Sequence, residues 1–397
     1  MSTMNETPQG ERLHIGIFGR RNVGKSSLLN AITGQNAALV SVVKGTTTDP
    51  VSKTMELLPI GPVLLIDTAG IDDSGELGEL RISKTKGVLR KTDVALLVAD
   101  AQEGLTEEDR ELLQVFEDVG IKHLVVYNKA DLAKSPPPGG FCVSAATGEN
   151  INALKEKIAD ISKTEKETIR LVADIVQSGD VVVMVIPIDK AAPKGRLILP
   201  QQQAIRDILE AGAIVAVTRE VELADTLQKL KEPPRLVITD SQVFAFVSKV
   251  VPEDVPLTSF SILMARYKGV LKNAVEGAYA LDALKNGDKV LISEGCTHHR
   301  QCDDIGTVKL PNWIETHTGA KLAYEFSSGS GFPQDLAGYK AIIHCGGCML
   351  NSREMLHRQR MAEQANVPMT NYGVAISHMQ GILERCIMPL QESGAGM

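Results

Sequence analysis

The run Gly19-Arg-Arg-Asn-Val-Gly-Lys-Ser26 has the residue types and spacing that wrap phosphates. Gly19 and Gly24 let backbone N–H groups turn toward an anion, and Lys25 reaches the β- and γ-phosphates. Ser26, with Ser27 beside it, offers a hydroxyl to Mg2+, and a helix starting here adds the positive end of its dipole. Three further runs complete a guanine-nucleotide site. Asp67-Thr-Ala-Gly70 supplies a carboxylate to hold Mg2+ through water and a glycine N–H to sense the γ-phosphate. Asn128-Lys129-Ala-Asp131 places the Asp131 carboxylate to accept from guanine N1–H and the exocyclic amine, a pairing adenine does not offer. Ser144-Ala145-Ala146 suits backbone contact to the guanine carbonyl. Four runs in this order point to GTP or GDP with Mg2+, and to hydrolysis of GTP.

A second constellation lies near the other end of the chain. Cys296-Thr-His298 and His344-Cys345-Gly-Gly-Cys348 each close an apolar run, and 45 residues separate His298 from His344. That gap suffices for a crossover that makes the two runs neighbouring parallel strands. Both motifs then share one crevice at the carboxyl ends of strands. Soft thiolates brought together favour Zn2+ or an iron–sulfur cluster. The asymmetric spacing, with Gly346 and Gly347 letting the backbone approach a bulky inorganic core, favours the cluster. Cys302 and His299 fall outside the pattern, and Cys142 and Cys386 read as packing residues.

The elements that must carry these residues follow from the patterning. His14–Gly19, Val63–Asp67, Val94–Asp100 and His123–Asn128 are short apolar runs ending at polar turns, the mark of a parallel sheet with helices on both faces. They define a P-loop α/β domain over 11–165, with a surface loop at Pro136–Gly140 and a charged linker, Lys163–Arg170. A second α/β domain spans 170–260, with strands at Val181–Ile188, Ala213–Thr218, Leu236–Asp240 and Pro256–Phe260. It lacks a dense set of reactive side chains, so its expected task is packing or dimerisation, with Val181–Ile188 burying an edge or face against a twin. A third α/β domain, 261–397, opens on a long helical stretch to Leu284 and then carries strands Lys289–Glu294 and Ala341–Ile343.

Composition bounds the function. The net charge of −7 and 4% aromatic content argue against a nucleic-acid surface, and the longest apolar run is too short to cross a bilayer. With no leader-like start at Met1–Arg12, the expected location is the cytoplasm, where a C-x-x-C pair reads as metal or redox chemistry.

The first domain resembles the GTPases of the Era and TrmE type. By that resemblance Gly45-Thr-Thr-Thr-Asp-Pro50 is switch I, with Thr47 the second Mg2+ ligand and Thr46 the alternative. Ile71 stands where Ras-like proteins carry a water-orienting glutamine. The resemblance implies a substitute: Asn22 helps bind K+, which stands in for an arginine finger, and Glu79 orients water.

Taken whole, the chain resembles the FeFe-hydrogenase maturation GTPases. That implies Cys296, Cys345 and Cys348 as ligands of a 4Fe–4S cluster, a fourth position held weakly by His298, His344, another side chain or solvent, and a homodimer formed through the middle domain. It implies carriage and transfer of a diiron precursor, with two radical-SAM maturases and the apo-hydrogenase as partners. Two other classes compete: a redox sensor whose cluster gates the GTPase, and an RNA- or ribosome-associated GTPase.

Overall fold

The computed structural model describes residues 7–34, 51–68, 85–135, 137–162, 170–188, 197–296, 304–329 and 331–391. Thr46, Thr47, Gly70, Ile71, Glu79, Pro136, His298, His299, Cys302 and the linker at 163–169 lie outside them. The chain divides into two units, Met1–Glu167 and Thr168–Met397.

In the first unit the strands are β1 (Leu13–Phe18), β2 (Val51–Leu57), β3 (Gly61–Asp67), β4 (Val94–Asp100), β5 (Lys122–Asn128) and β6 (Phe141–Cys142). They form one sheet in the order β2-β3-β1-β4-β5-β6, parallel except for β2, which runs antiparallel to β3. All seven residues of β4 are buried, as expected of a central strand covered on both faces. Its alternate residues Val94, Leu96 and Val98 pack with Leu28 and Ile32 of the helix Lys25–Thr33. Ala95 and Leu97 point the other way, toward Phe116 of the helix Glu107–Asp118. The parallel sheet expected from the sequence is therefore present. β2 is an addition, a polar edge strand whose Ser-Lys-Thr-Met-Glu run has no continuous apolar signal.

The second unit holds two four-stranded parallel sheets. The first has strands β7 (Val181–Val185), β8 (Ile214–Thr218), β9 (Leu236–Thr239) and β10 (Leu257–Ser259), in the order β10-β9-β7-β8. The second has β11 (Lys289–Glu294), β12 (Ala323–Ser328), β13 (Ala341–His344) and β14 (Met369–Asn371), in the order β12-β11-β13-β14. One continuous apolar core runs through both, from Leu171 to Leu390.

Two expectations change here. The helical stretch expected from Ser261 to Leu284 is two helices, Phe260–Tyr267 and Leu271–Tyr279, followed by a 3-10 turn, Ala280–Ala283. Gly269, at φ 76°, stops the first helix, and the Val270 N–H reaches back to the Ala265 carbonyl at 2.9 Å, a glycine cap that a helical periodicity does not reveal. The apolar run Val181–Ile188 is unavailable as a dimer surface along its strand portion, because β7 lies between β8 and β9 and Val182 to Val185 are fully buried. Among the described residues no helix is long and apolar enough to cross a membrane.

Candidate functional site

In the first unit, β1 delivers the chain into the phosphate loop and the helix Lys25–Thr33 leaves it. Two glycines are required by the backbone. Gly19 sits at φ 139°, and a Cβ there would lie 2.2 Å from the Val98 carbonyl oxygen; Gly24 sits at φ 90°, and a Cβ there would lie 2.3 Å from Asn128 Nδ2. Lys25 is 6% exposed, and its ammonium donates to the carbonyls of Gly19 at 2.5 Å and Arg20 at 2.9 Å. These two contacts hold the ammonium over the loop, where a phosphate would meet it. Asn22, at φ 66°, and Ser27 are exposed at the loop surface.

Ser26 Oγ lies 3.4 Å from Asp67 Oδ2, so a hydroxyl in the first turn of the helix Lys25–Thr33 faces a carboxylate oxygen at the end of β3. This hard-oxygen pair fits Mg2+ held by the serine directly and by the aspartate through water. Thr47 and Gly70, assigned to the same site from sequence, lie outside the described residues.

The base-recognition end is tied to the phosphate loop by one side chain. Asn128 is 2% exposed; its Nδ2 donates to the Val23 carbonyl at 3.0 Å, and its Oδ1 accepts from the Ala145 N–H at 3.0 Å. Asn128 therefore clamps two loops together, and Asp131 is exposed beside it on the short turn Ala130–Leu132. Lys129, at φ 63°, donates to Asp100 at 2.7 Å. Burial opposes ionisation of Asp100, but the Lys129 ammonium and the Gln102 N–H outweigh it and hold the carboxyl below its ordinary pKa. Ser144 is fully buried, its hydroxyl accepting from the Thr147 N–H at 3.1 Å and closing the turn that presents Ala145.

In the second unit, β11 and β13 are neighbours in parallel register, with Ser293 opposite His344. The crossover expected from the spacing is therefore formed, and Cys296 and Cys345 emerge side by side at the carboxyl end of the sheet. The Cys345 sulfur accepts from the N–H groups of Gly295 at 3.1 Å and Gly347 at 3.4 Å. Such donors stabilise sulfur that carries negative charge. Burial pushes the Cys296 thiol up to about 12, with repulsion from Cys345 and Cys348 adding to it; burial also pushes Cys348 up to about 11. A cation bound between them would reverse that repulsion. The three sulfurs are not gathered on a single point: among the described residues, only one set of three His, Cys, Asp or Glu ligand atoms lies within 4.8 Å of one another, and it is elsewhere. A zinc ion with thiolate bonds near 2.3 Å would draw its sulfurs to about 3.8 Å apart, whereas an iron–sulfur cube spaces them more widely.

His344 is not available as a ligand. It is fully buried, its Nδ1 lies 2.7 Å from the Cys345 carbonyl oxygen, and its Nε2 lies 2.9 Å from Arg358 Nη1. The first contact requires an Nδ1–H donor, so Nε2 accepts from the guanidinium. Burial, and then the Arg358 charge, push its pKa down to about 3, keeping the ring neutral. His298, its proposed counterpart, lies outside the described residues, as do His299 and Cys302. Gly347, at φ 64°, serves the turn and the packing, since a Cβ there would lie 2.7 Å from Met355 Sδ; Gly346 has ordinary room.

Sequence reading missed three residues around the thiols. Arg358, on the helix Ser352–Gln364, is 1% exposed and also donates to Glu354 at 3.0 Å and the Gly329 carbonyl at 2.7 Å. Glu294, at the end of β11, is a buried carboxylate beside Cys296 and Cys345, and Lys268 is a buried ammonium whose charge favours the Cys348 thiolate. Arg358 is one charge among many on a polar helix. Glu294 ends the apolar strand β11 and Lys268 follows an apolar helix, where a single terminal charge reads as the polar turn that closes an element.

Comparison with known proteins matches three stretches of the chain, two of them within the second unit. Residues 14–129 match the family model described as 50S ribosome-binding GTPase, residues 171–269 the Hydrogen maturase F dimerization domain, and residues 272–389 the Hydrogen maturase F tetramerization domain. The last two together take in more than half of the chain. A tRNA modification GTPase MnmE from Nitrosospira multiformis is 34% identical over 161 residues, covering 38% of this chain and 35% of that protein. The MnmE of Streptococcus pyogenes serotype M4 is 36% identical over 154 residues, covering 37% and 33%. The chain spans about a third of the length of these curated relatives. Among solved structures, the G domain of the T. maritima FeoB iron transporter is 26% identical with a TM-score of 0.30, covering 38% of this chain and 100% of that one. Aquifex aeolicus Era bound to GDP·AlF4− is 20% identical with a TM-score of 0.32, covering 52% and 93%.

Proposed function

The chain belongs to the hydrogen maturase F family, and on that premise we propose that it is a GTP-hydrolysing scaffold that binds a 4Fe–4S cluster and carries a diiron precursor to FeFe-hydrogenase. The observation that carries the reading is the pairing of β11 with β13, which sets Cys296 beside Cys345-Gly-Gly-Cys348 with two N–H donors on the Cys345 sulfur. When bound, a cluster held by these three cysteines supplies one iron with an exchangeable position. The protein's own part is to space three thiolates, to offset their charge through Lys268 and the glycine N–H groups, and to hold Cys345 through the His344–Arg358 pair. Radical-SAM maturases and the apo-hydrogenase are the partners such a carrier needs. Anaerobic reconstitution with iron and sulfide, followed by EPR with and without imidazole, tests the open position. Imidazole should alter the signal, and a spectrum indifferent to imidazole would contradict it.

Self-association is part of the same proposal. Strand β8 is an edge of its sheet among the described residues and exposes Ile214 at 55% and Val217 at 51%, apolar side chains that a second copy of the chain would cover.

For GTP hydrolysis, Lys25 and the N-terminus of its helix meet the β- and γ-phosphates, Ser26 and Asp67 hold Mg2+, and Asp131 reads the base. Ile71 offers no group to orient water. Charge stabilisation therefore falls to K+ bound with the help of Asn22, and Glu79 orients the attacking water. The GTPase rate should be several-fold higher in K+ than in Na+ at equal ionic strength, and Asn22→Ala should erase the difference. Equal rates in the two salts would remove K+ from the site while leaving nucleotide binding intact.

A further inference from the structure

Away from both sites, three helical elements of the second unit converge on one point. Asp282 lies on the turn Ala280–Ala283, His317 in the last turn of the helix Leu310–Thr318, and His378 in the last turn of the helix Tyr372–Met379. His317 Nε2 lies 2.7 Å and His378 Nε2 lies 2.9 Å from the same carboxylate oxygen, Asp282 Oδ1. The three ligand atoms lie within 4.8 Å of one another, the one such set among the described residues. We propose that Asp282, His317 and His378 form a binding site for a divalent transition-metal ion, with Zn2+ the best match.

The donor chemistry favours this class of ion. Two imidazole nitrogens and one carboxylate oxygen suit zinc and its first-row neighbours, whereas Ca2+ and Mg2+ call for oxygen alone. A tetrahedron with bonds near 2.0 Å has edges of about 3.3 Å, so each histidine nitrogen needs to move from the carboxylate oxygen by only about half an ångström to admit an ion. Each imidazole now donates its Nε2 proton to Asp282. On metal binding that proton is given up, to Nδ1 of the same ring or to solvent, and the freed Nε2 lone pair meets the ion. Three ligands leave a fourth position open to water.

The surroundings hold the ligands in place. The Tyr279 ring stands edge-on to His378 at 4.9 Å between centroids, and its hydroxyl donates to Glu384 at 2.5 Å. The His317 and His378 rings are themselves edge-on at 5.5 Å. Side-chain exposures of 51% for Asp282, 27% for His317 and 12% for His378 leave a path for an ion to enter from solvent. In sequence the three residues are 35 and 61 positions apart, which is why no motif announces them.

The test is metal content of the full chain after anaerobic reconstitution with iron and sulfide. Zinc is added against a weak competing chelator and counted per protomer, and Co2+ is used in parallel, its visible spectrum taken as the difference from the same cluster-loaded protein without cobalt. The intact protein should take up one zinc, and its Co2+ form should show visible d–d bands without thiolate charge-transfer absorption in the near ultraviolet. His317→Gln and His378→Gln should each weaken uptake by at least about a hundredfold, since even residues that merely support a ligand cost 10- to 100-fold. Asp282→Asn, which keeps the shape of the side chain, should do the same, and iron content should be unchanged in all three. Equal zinc uptake by the intact protein and the three variants, or a Co2+ spectrum dominated by thiolate absorption, would overturn the site. A loss of iron without a loss of zinc would do so as well.

Discussion

Replacing Asp131 by asparagine is expected to weaken GTP binding by about 2 kcal/mol, roughly thirtyfold, and to make xanthosine triphosphate the better ligand. The carboxylate accepts two hydrogen bonds from guanine, and an amide in its place has only one acceptor and presents a donor to the 2-amino group. Xanthine carries an oxygen at that position and finds the donor welcome. The structure makes this substitution specific, because Asp131 is exposed on its turn and holds no part of the fold that the change would disturb. Asn128 is different: its side chain spans from the Val23 carbonyl to the Ala145 N–H, so its loss would loosen the phosphate loop together with base recognition. Titrating both variants with labelled GTP and xanthosine triphosphate separates the two roles. An unchanged preference in Asp131→Asn would withdraw the assignment.

Replacing Arg358 by methionine is expected to cost roughly 3–5 kcal/mol of stability, because removing one partner of a buried pair strands the other. The guanidinium satisfies Glu354, His344 and the Gly329 carbonyl, and it lies 4.9 Å above the Phe332 ring. Glu354 Oε2 already lacks a hydrogen bond, so its carboxylate has little else to turn to. For a unit of this size that loss lowers the melting temperature by about 6–20 °C. The effect should extend to the thiol site, since His344 would lose the contact that fixes its ring against the Cys345 carbonyl. The double variant Arg358→Met with Glu354→Leu should recover part of the stability, which a melting curve of the three proteins would reveal. If Arg358→Met melted with the parent, the buried network would not be what braces this strand end.

The phosphate loop, the strand ends of the first unit and the pairing of β11 with β13 were legible in sequence because each is local. An apolar run followed by glycine and a polar group reports a strand end directly, and a gap of suitable length implies a parallel neighbour. What could not be read depends on residues far apart. The break at Gly269 is a cap that interrupts an otherwise helical pattern, and β14 is too short to show periodicity. His344 looks like a ligand beside Cys345, and only the position of Arg358 on a later helix shows that both its nitrogens are taken. The run Val181–Val185 is apolar because it is the inside of a sheet, not an interface, a distinction its composition cannot make.

We propose that one chain joins a guanine-nucleotide site to a cluster held by Cys296, Cys345 and Cys348. The most direct test is iron per protomer, with the EPR spectrum, in single alanine variants of these three cysteines and of Cys302 after anaerobic reconstitution. Each of the three should fall well below the parent's iron content while keeping its GTP affinity, and Cys302→Ala should retain a full cluster. A full cluster in any of the three, with its loss in Cys302→Ala, would move the ligand set to Cys302.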